Sequence, residues 1–475
     1  MDELITLYTQ YTGYQAYDML ELLPLSGSNR RYFRLKGEKS LIGVIGTSEH
    51  ENKAFIYLSA HFLKKGLPIP EVFCFSNDYR CYLQEDLGDN LLFNAIKRGR
   101  QNCIFDEGER QLLHQTISML PSIQVLGAEG LDFSLCYPQP EFDSRQILWD
   151  LNYFKYCFLK PSGLDFPERQ LEDDFHTMCD VLLQNHSETF LYRDFQSRNV
   201  LVKDNKPFFI DFQGGHKGPV YYDVASFLWQ AKAGYPKELR EELIDSYIKA
   251  LRAYMPVDEV DFRHQLRHFV LFRILQTLGA YGFRGYYEKK PHFIQSVPLA
   301  IDNLRELMLE DYAAYPCLCD VLHKLTAMKQ FSEEHKKRTL KVKIISFAYK
   351  KGIPDDSSGN GGGFVFDCRA INNPGKYERY NTLTGLDEPV IRFLEEESEV
   401  ATFLNHVYML VDASVKRYID RGFTNLMVSF GCTGGQHRSV YCAQHLSEHL
   451  QKKYGIKISL VHREQNIKQS FESTF

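Results

Sequence analysis

Three oxygen-bearing side chains lie close together in the sequence, at a spacing suited to phosphoryl transfer. Asn199 stands five residues after Asp194, and Asp211 follows a second apolar run, Phe208–Ile210. Phosphoryl transfer needs a carboxylate that orients the attacking hydroxyl, and oxygen ligands that hold Mg²⁺ against the nucleotide phosphates. We therefore predict that Asp194 is the catalytic base and that Asn199 and Asp211 are metal ligands.

The surroundings of this motif distinguish it from a chance pair that caps a helix or turn. Apolar, strand-like runs flank it on both sides, and Tyr222–Ala225 opens a helix soon afterwards. Asp223 in that helix is expected to tie down the loop that carries Asp194, with a helix cap as the alternative role. Arg193, directly before the base, is expected to support the same loop.

A second motif lies near the end of the sequence, where an apolar strand runs through a glycine-rich turn into an amphipathic helix. This order directs backbone amides and the positive helix end at one point, where His437 and Arg438 add charge, and it predicts a phosphate site. The spacing of Cys432, Gly435, Arg438 and Ser439 also matches cysteine phosphatases, whose thiolate attacks phosphorus. On spacing alone, anion binding, a phosphatase and a purely structural turn all stay open.

The elements that must position these groups change in character along the chain. Short strand-like runs such as Leu41–Ile45 come first, a mostly helical region follows, and strands alternate with helices after the polar, basic stretch Lys329–Arg338. We predict a first lobe at 1–88, a helical lobe at 89–328, a linker at 329–340, a compact α/β domain at 341–465 and a tail at 466–475.

Composition narrows the class of protein. A chain of 475 residues with 44% hydrophobic and 25% charged residues predicts two or three globular domains. The sequence shows neither an apolar run of roughly 20 residues nor a signal-peptide pattern, and its eleven cysteines lack framework spacing. A net charge of −5 argues against a protein that binds nucleic acid over much of its surface. A cytoplasmic protein with no membrane contact is expected.

The Leu191–Val202 segment and the Phe208–Gln213 segment resemble the catalytic loop and the metal-binding Asp of the aminoglycoside-phosphotransferase and choline-kinase superfamily. The resemblance implies an α+β bilobal, protein-kinase-like fold that uses ATP and Mg²⁺. It places nucleotide contacts on a turn between the first strands and on the hinge between lobes, at Ser28, Asn29, Arg30, Arg31, Gln84, Glu85, Asp86 and Leu87. Together with Arg30–Arg34 and Glu85–Asp89, the motifs are similar to those of N-acetylmuramate/N-acetylglucosamine kinases, which implies a sugar or amino-sugar hydroxyl as acceptor.

Two positions depart from that family. Tyr192 stands where the family has His, so we expect the support that His gives to the metal loop to come from elsewhere. No basic residue occurs between Ser40 and Gly46, so the usual third-strand Lys is missing. Arg30, Arg31 or Lys53 could supply its charge. A protein that binds nucleotide without turnover is the alternative.

Four later segments, Ser346–Pro354, Phe366–Pro374, Leu383–Val390 and Gly431–Tyr441, resemble the RapZ C-terminal domain in that order. That family's domain senses glucosamine 6-phosphate and binds small RNA. The resemblance implies a phosphosugar or phosphate site at Arg369, Thr384, Gly385, Cys432, Thr433, Gly434, Gly435, His437, Arg438 and Ser439. Because the charges of this region nearly cancel and the basic tail of that family is missing, RNA binding is expected to be weak and salt-dependent.

Overall fold

The computed structural model describes residues 2–14, 20–23, 30–37, 40–184, 188–294, 296–310, 312–331, 340–356, 358–359, 362–421 and 423–471. The chain forms two compact units. The first comprises Met1–Tyr287 and Leu299–Thr326, and the second comprises Glu288–Pro298 and Ala327–Phe475.

The first unit begins with a five-stranded antiparallel sheet. Its elements are α1 (Asp2–Thr12), β1 (Leu20–Leu22), β2 (Arg31–Leu35), β3 (Leu41–Ile45), α2 (Glu49–Lys64), β4 (Val72–Phe75) and β5 (Cys81–Glu85), with strand order β1-β2-β3-β5-β4. Leu4 and Tyr8 of α1 pack with Phe33, Leu41 and Leu83 of the sheet. Ser48 caps α2 by accepting a hydrogen bond from the Glu51 amide at 3.3 Å, which fixes the start of the helix that follows the third strand.

A mostly helical lobe follows, in which short strands carry the loops. Its elements are α3 (Leu92–Ala95), α4 (Lys97–Asn102), α5 (Glu107–Val125), α6 (Ser144–Phe154), α7 (Glu168–Leu183), β6 (Phe190–Leu191), β7 (Val200–Lys203), β8 (Lys206–Phe209), β9 (His216–Lys217), α8 (Tyr221–Leu228), α9 (Lys237–Leu251), α10 (Glu259–Gly282), α12 (Val297–Leu307) and α13 (Pro316–Ala327). Helix α11 (Pro291–Ile294) lies between α10 and α12 in the chain but belongs to the second unit. The pairs β6–β9 and β7–β8 are antiparallel and hold the loop between them in a fixed register.

The second unit is an α/β layer structure around one mixed sheet. Its strands β10 (Lys341–Ala348), β11 (Phe364–Asp367), β12 (Asn425–Cys432), β13 (Lys457–His462) and β14 (Ile467–Phe471) lie in the order β11-β12-β10-β13-β14. All pairs are parallel except β13–β14. Helices α14 (Glu388–Glu396), α15 (Val400–Arg421) and α16 (Arg438–Tyr454) complete it. The parallel strands β10 and β12 end together, since Ala348 pairs with Cys432.

The α+β bilobal fold followed by an α/β unit confirms the predicted fold class. Two boundaries differ in detail. The stretch 466–475, expected as a tail, contains the edge strand β14, because Ile467–Phe471 pairs with β13. The segment Glu288–Pro298, placed in the helical lobe by its sequence position, belongs to the second unit, where α11 packs against α15. Residues 332–339 of the expected linker lie outside the described residues. Across the described part of the chain, no helix is both long and apolar enough to cross a bilayer.

Candidate functional site

The loop between β6 and β7 carries Asp194 and Asn199, and the segment after β8 brings Asp211 to the same site. The Asn199 side-chain amide donates to the backbone oxygen of Asp194 at 2.8 Å. The amide of Ile210, next to Asp211, donates to the Asn199 backbone oxygen at 3.0 Å. Asp194 is exposed, and no donor among the described residues bonds its carboxylate. The side chain is therefore open to an incoming hydroxyl.

Asp211 occupies a half-buried, negatively charged corner of this site. Burial raises the pKa of its carboxyl, and the nearby charge of Asp194 raises it further, while the Gln213 amide and Arg30 oppose the shift. The Gln213 amide donates to Asp211 Oδ1 at 2.6 Å. Asp211 has φ 68°, a left-handed backbone conformation that costs energy for a residue other than glycine. A half-buried carboxylate close to a second carboxylate is an arrangement that a divalent cation would stabilise.

Asp223 holds the loop that carries Asp194 through hydrogen bonds to the loop's backbone amides. Its fully buried carboxylate accepts hydrogen bonds from the Tyr192 amide at 2.8 Å, the Arg193 amide at 2.9 Å and the Gln124 side chain at 3.0 Å. The first two bonds fix the backbone directly before Asp194. This loop contact, rather than the alternative helix cap, is the role in which the structure places Asp223. Arg193 has φ 73°, and its guanidinium lies 3.5 Å from Asp150.

Tyr192 links the loop that carries Asp194 to the residue before Asp211. Its buried hydroxyl donates to the backbone oxygen of Ile210, the residue before Asp211. The ring packs edge-on against Phe195 and Phe212. The tyrosine therefore connects the loop that carries Asp194 to the segment that carries Asp211.

We expect Tyr192→Phe to raise the Mg²⁺ concentration needed for half-maximal turnover and to lower kcat by about tenfold, because a displaced loop costs catalysis steeply. Titrating turnover against Mg²⁺ measures this. Tyr315→Phe is the matched control, since its buried hydroxyl bonds His268 at 3.0 Å, away from the loop. Equal Mg²⁺ curves for both variants would contradict the bridging role.

The three candidate cations of the lobe formed by β1–β5 and α2 lie in different surroundings. Arg30 is buried, lies 3.3 Å from Glu51 of α2, and its charge reaches Asp211. Lys53 pairs instead with Glu49 on the exposed side of α2, and Arg31 is exposed over the Phe33 ring. Arg30 is thus the candidate cation whose charge reaches Asp211. Protein kinases pair a phosphate-binding strand lysine with a helix glutamate, and Arg30, directly before β2, forms a comparable ion pair with Glu51 of α2.

The predicted hinge is held by ion pairs that use side chains rather than backbone. Arg34 bonds Asp86 at 2.7 Å and Asp89 at 2.7 Å, and Glu85 pairs with Lys203 of β7 at 2.9 Å. Burial opposes ionisation of Asp86, but the bonds from Arg34 and Ser40 leave its pKa lowered. The Asp86 and Glu85 carboxylates are therefore engaged in ion pairs, and nucleotide contact at Gln84–Leu87 stays a prediction for the backbone of this segment. Ser28 and Asn29 lie outside the described residues.

The residues present fit Mg²⁺ and ATP. Mg²⁺ in nucleotide sites takes oxygen ligands from one or two protein side chains and completes its shell with phosphates and water. Asn199 and Asp211 offer that set, and Arg30 offers positive charge on the same corner.

The predicted anion residues of the second unit also converge, at the carboxyl ends of β10 and β12, where α/β folds bind ligands. The Gly385 amide donates to Gln436 O at 2.9 Å, and a Cβ at Gly385 would lie 2.2 Å from His437 O. Only glycine permits this approach. Thr384 bonds Asp387 through its amide at 2.7 Å, while Thr433 and Gly434 are exposed at the loop tip.

The two basic residues of this loop are turned inward. Arg438 is buried and donates to Arg369 O and Ile371 O, both at 2.8 Å, and His437 bonds Tyr380 O at 3.0 Å. We expected both side chains to add positive charge at the phosphate site. Instead they bond backbone carbonyls of the neighbouring loop, which need hydrogen-bond donors in the buried interior. Arg369 is exposed, and pairs with Asp367 at 2.6 Å.

Cys432 is buried at the base of the same loop. Its sulfur accepts from the Gly435 amide at 3.2 Å and lies 3.2 Å from Ser439 Oγ. The arginine that a cysteine phosphatase aims at phosphate is held by backbone carbonyls here. The geometry favours the anion-binding alternative over the phosphatase.

Several residues that shape both sites were not among the predicted set. Glu51 pairs with Arg30, Gln213 holds Asp211, and Gln465 donates to Gly435 O at 3.0 Å. Gln213 could have been found from its position two residues after Asp211. Nothing in the sequence marks Gln465, since its partner lies 30 residues away.

Two family models match the chain. The model described as phosphotransferase enzyme family matches residues 20–259, and that described as RapZ C-terminal domain matches residues 340–466.

Individual relatives and solved structures match only part of the chain. A "nucleotide-binding protein" of Fervidobacterium nodosum is 30% identical over 253 residues, which is 52% of this chain and 86% of that protein. A protein of the same name from Endomicrobium trichonymphae is 37% identical over 124 residues, 26% of this chain and 42% of its own length. The chain thus spans less than half of that second relative.

Among solved structures, ADP-bound aminoglycoside phosphotransferase APH(2'')-Ib aligns at 14% identity and TM-score 0.43, covering 69% of this chain and 98% of that one. A choline/ethanolamine kinase family protein from Mesorhizobium loti aligns at 14% identity and TM-score 0.43, covering 67% and 96%.

Proposed function

We propose, since the chain belongs to the phosphotransferase enzyme family, that its first unit transfers the terminal phosphoryl group of ATP to a hydroxyl of a sugar or amino sugar. The observation that carries this is the convergence of Asp194, Asn199 and Asp211, with the Asp194 carboxylate exposed. Asp194 orients the acceptor hydroxyl and takes its proton. Asn199 and Asp211 would hold Mg²⁺, which neutralises phosphate charge. Arg30 adds positive charge at the phosphates.

Support for turnover, rather than nucleotide sensing alone, comes from the loop itself. Asp223 fixes the backbone directly before the base, and Tyr192 ties that segment to the residue before Asp211. Such preorganisation serves a reaction more than it serves binding. In this proposal Tyr192 and Arg30 take over the roles of the family's His and Lys.

Measuring ADP release with ATP, Mg²⁺ and N-acetylglucosamine, N-acetylmuramate, glucosamine or mannose tests this proposal. We expect ADP release above the sugar-free rate with at least one of them. Tight ATP binding with no ADP release from any sugar would support the nucleotide-sensing alternative instead.

For the second unit we propose binding of a phosphosugar or phosphate at the loop after β12. The exposed tip at Thr433 and Gly434, the start of α16 and exposed Arg369 support it. In this proposal the two units act on related compounds: the first makes a sugar phosphate, and the second binds one. Weak RNA binding at this unit remains the competing proposal.

Cys432→Ser separates anion binding from phosphatase chemistry. We expect glucosamine 6-phosphate binding, measured by calorimetry, to change by less than about threefold, because the Ser hydroxyl can still accept from the Gly435 amide. We expect no p-nitrophenyl phosphate hydrolysis in either protein. Hydrolysis by the wild type that disappears in Cys432→Ser would establish the phosphatase.

A further inference from the structure

The hydroxyl of Tyr82, in β5, has no hydrogen-bond partner among the residues that the structure describes. The whole side chain is buried. Buried polar groups in folded proteins almost always have a partner, because leaving one unpaired destabilises the fold. The packing of the first unit alone therefore does not explain why this position carries a hydroxyl.

Tyr82 lies in a row of side chains that crosses three strands of the sheet. It pairs with Val44 of β3, and Val44 pairs with Tyr32 of β2. Directly paired residues of antiparallel strands project from the same face of a sheet. The Tyr82 ring stacks on Phe55 of α2, with the ring centres 5.2 Å apart. The row therefore lies on the face of the sheet that α2 covers.

The Phe55 ring connects this row to the residues proposed to bind phosphate and metal. Phe55 also stacks on Phe212, the residue after Asp211, with the ring centres 4.9 Å apart. The guanidinium carbon of Arg30 lies 5.7 Å from the centre of the same Phe55 ring. One aromatic ring thus has Tyr82, Arg30 and the segment of Asp211 around it, so these three groups are close together in space.

The charges around Tyr82 agree with this position. Burial raises the pKa of the Tyr82 hydroxyl well above its usual value, the positive charge of Arg30 opposes the shift, and the charges of Asp211 and Glu51 add to it. The hydroxyl therefore keeps its proton at neutral pH and is available as a hydrogen-bond donor. It lies within reach of the cation assigned to the phosphates and of the acid assigned to Mg²⁺.

We propose that Tyr82 is a phosphate-binding residue of the nucleotide site, and that its hydroxyl donates to a phosphate oxygen of ATP beside Arg30. The inference rests on the proposed kinase function and assigns a residue to a contact for which β3, Leu41–Ile45, offers no cation. A phosphate oxygen is an ionised acceptor, so its hydrogen bonds are stronger than those between neutral groups. Binding gives the buried hydroxyl the partner that the described residues do not supply.

Tyr82→Phe tests the proposal, because it removes the hydroxyl and keeps the ring that stacks on Phe55. We expect the variant to bind ATP about tenfold more weakly, the scale of one hydrogen bond to a charged group. Its affinity for adenosine, which has no phosphate, should change by less than about twofold. Calorimetry on the full chain measures both affinities. Because no described residue bonds the hydroxyl, its removal should leave the thermal unfolding midpoint unchanged or raise it.

Tyr315→Phe is the matched control, since its buried hydroxyl bonds His268 at 3.0 Å in the same unit. Loss of that bond should lower the thermal unfolding midpoint and leave the ATP affinity unchanged. The two variants are therefore expected to differ in opposite directions, although each loses one buried tyrosine hydroxyl.

Wild-type ATP affinity in Tyr82→Phe would overturn the inference. Equal losses of affinity for ATP and adenosine, or an unfolding midpoint lowered as in Tyr315→Phe, would also overturn it, because each indicates a structural role. The test measures binding and stability, so its result does not depend on turnover. A wild type that binds ATP but releases no ADP with any sugar defeats the kinase proposal, whereas full ATP affinity of Tyr82→Phe in an active kinase defeats only this one.

Discussion

Asp194→Asn is expected to lower kcat by about 10²- to 10⁴-fold, because the variant loses both the proton acceptor and the orientation of the attacking hydroxyl. ATP affinity and thermal stability should stay close to those of the wild type. The Asp194 carboxylate is exposed and receives no hydrogen bond from the described residues, so its removal breaks no internal contact. Single-turnover ADP release measures the loss of catalysis, and calorimetry with ATP measures the ATP affinity separately.

Asp173→Asn is the matched control for this prediction, since Asp173 is an exposed acid on α7 in the same unit. It should leave kcat unchanged. Retention of wild-type kcat by Asp194→Asn would remove the proposed base and with it the proposed mechanism.

Asp223→Ala is expected to be the most damaging change away from the reacting atoms. It would leave the Tyr192 and Arg193 amides and the Gln124 side chain without the acceptor that they share. Each buried unsatisfied donor costs about 1–3 kcal/mol, so the free energy of unfolding should fall by about 3 kcal/mol or more. Turnover should fall by about 10²-fold, since the backbone before Asp194 would no longer be fixed.

Asp223→Asn provides the milder variant if the alanine protein does not fold. It keeps one acceptor oxygen and should fall between wild type and Asp223→Ala in both denaturant unfolding and kcat. Wild-type stability and turnover in Asp223→Asn and Asp223→Ala would show that the three bonds do not hold the loop.

The pH dependence of stability offers an independent check on Asp223. Burial raises the pKa of its carboxyl to about 7, above the value near 4 of an unfolded chain. Between these values the folded protein keeps a proton that the unfolded chain releases, so this group's contribution to stability declines as pH rises from about 4 to about 7. Asp223→Asn should remove that part of the decline from unfolding curves.

The local parts of the candidate site could be predicted from the sequence. Asp194, Asn199 and Asp211 belong to one loop and the hairpin that follows it, so their spacing alone indicates proximity. The glycine-rich turn before α16 is readable for the same reason. In both cases the relevant contacts are short-range in sequence.

The remaining contacts depend on packing between distant segments. The Tyr192 hydroxyl finds Ile210 O only once β6 and β8 flank one loop, and Arg30 finds Glu51 only when α2 packs beside the sheet. The direction of Arg438 depends on carbonyls at Arg369 and Ile371, 69 and 67 residues away. The sequence of a loop shows which charged residues it contains, but not which residues of distant segments bind them.

The assignment of Glu288–Pro298 to the second unit has a consequence for dissecting the protein. The backbone passes between the units three times, near Tyr287, Pro298 and Thr326. Cutting the chain after residue 328 would therefore strand α11 on the wrong fragment, and the isolated C-terminal piece would lack a helix that packs on α15. Fragment studies of the anion loop should begin upstream of Glu288 or supply that peptide in trans.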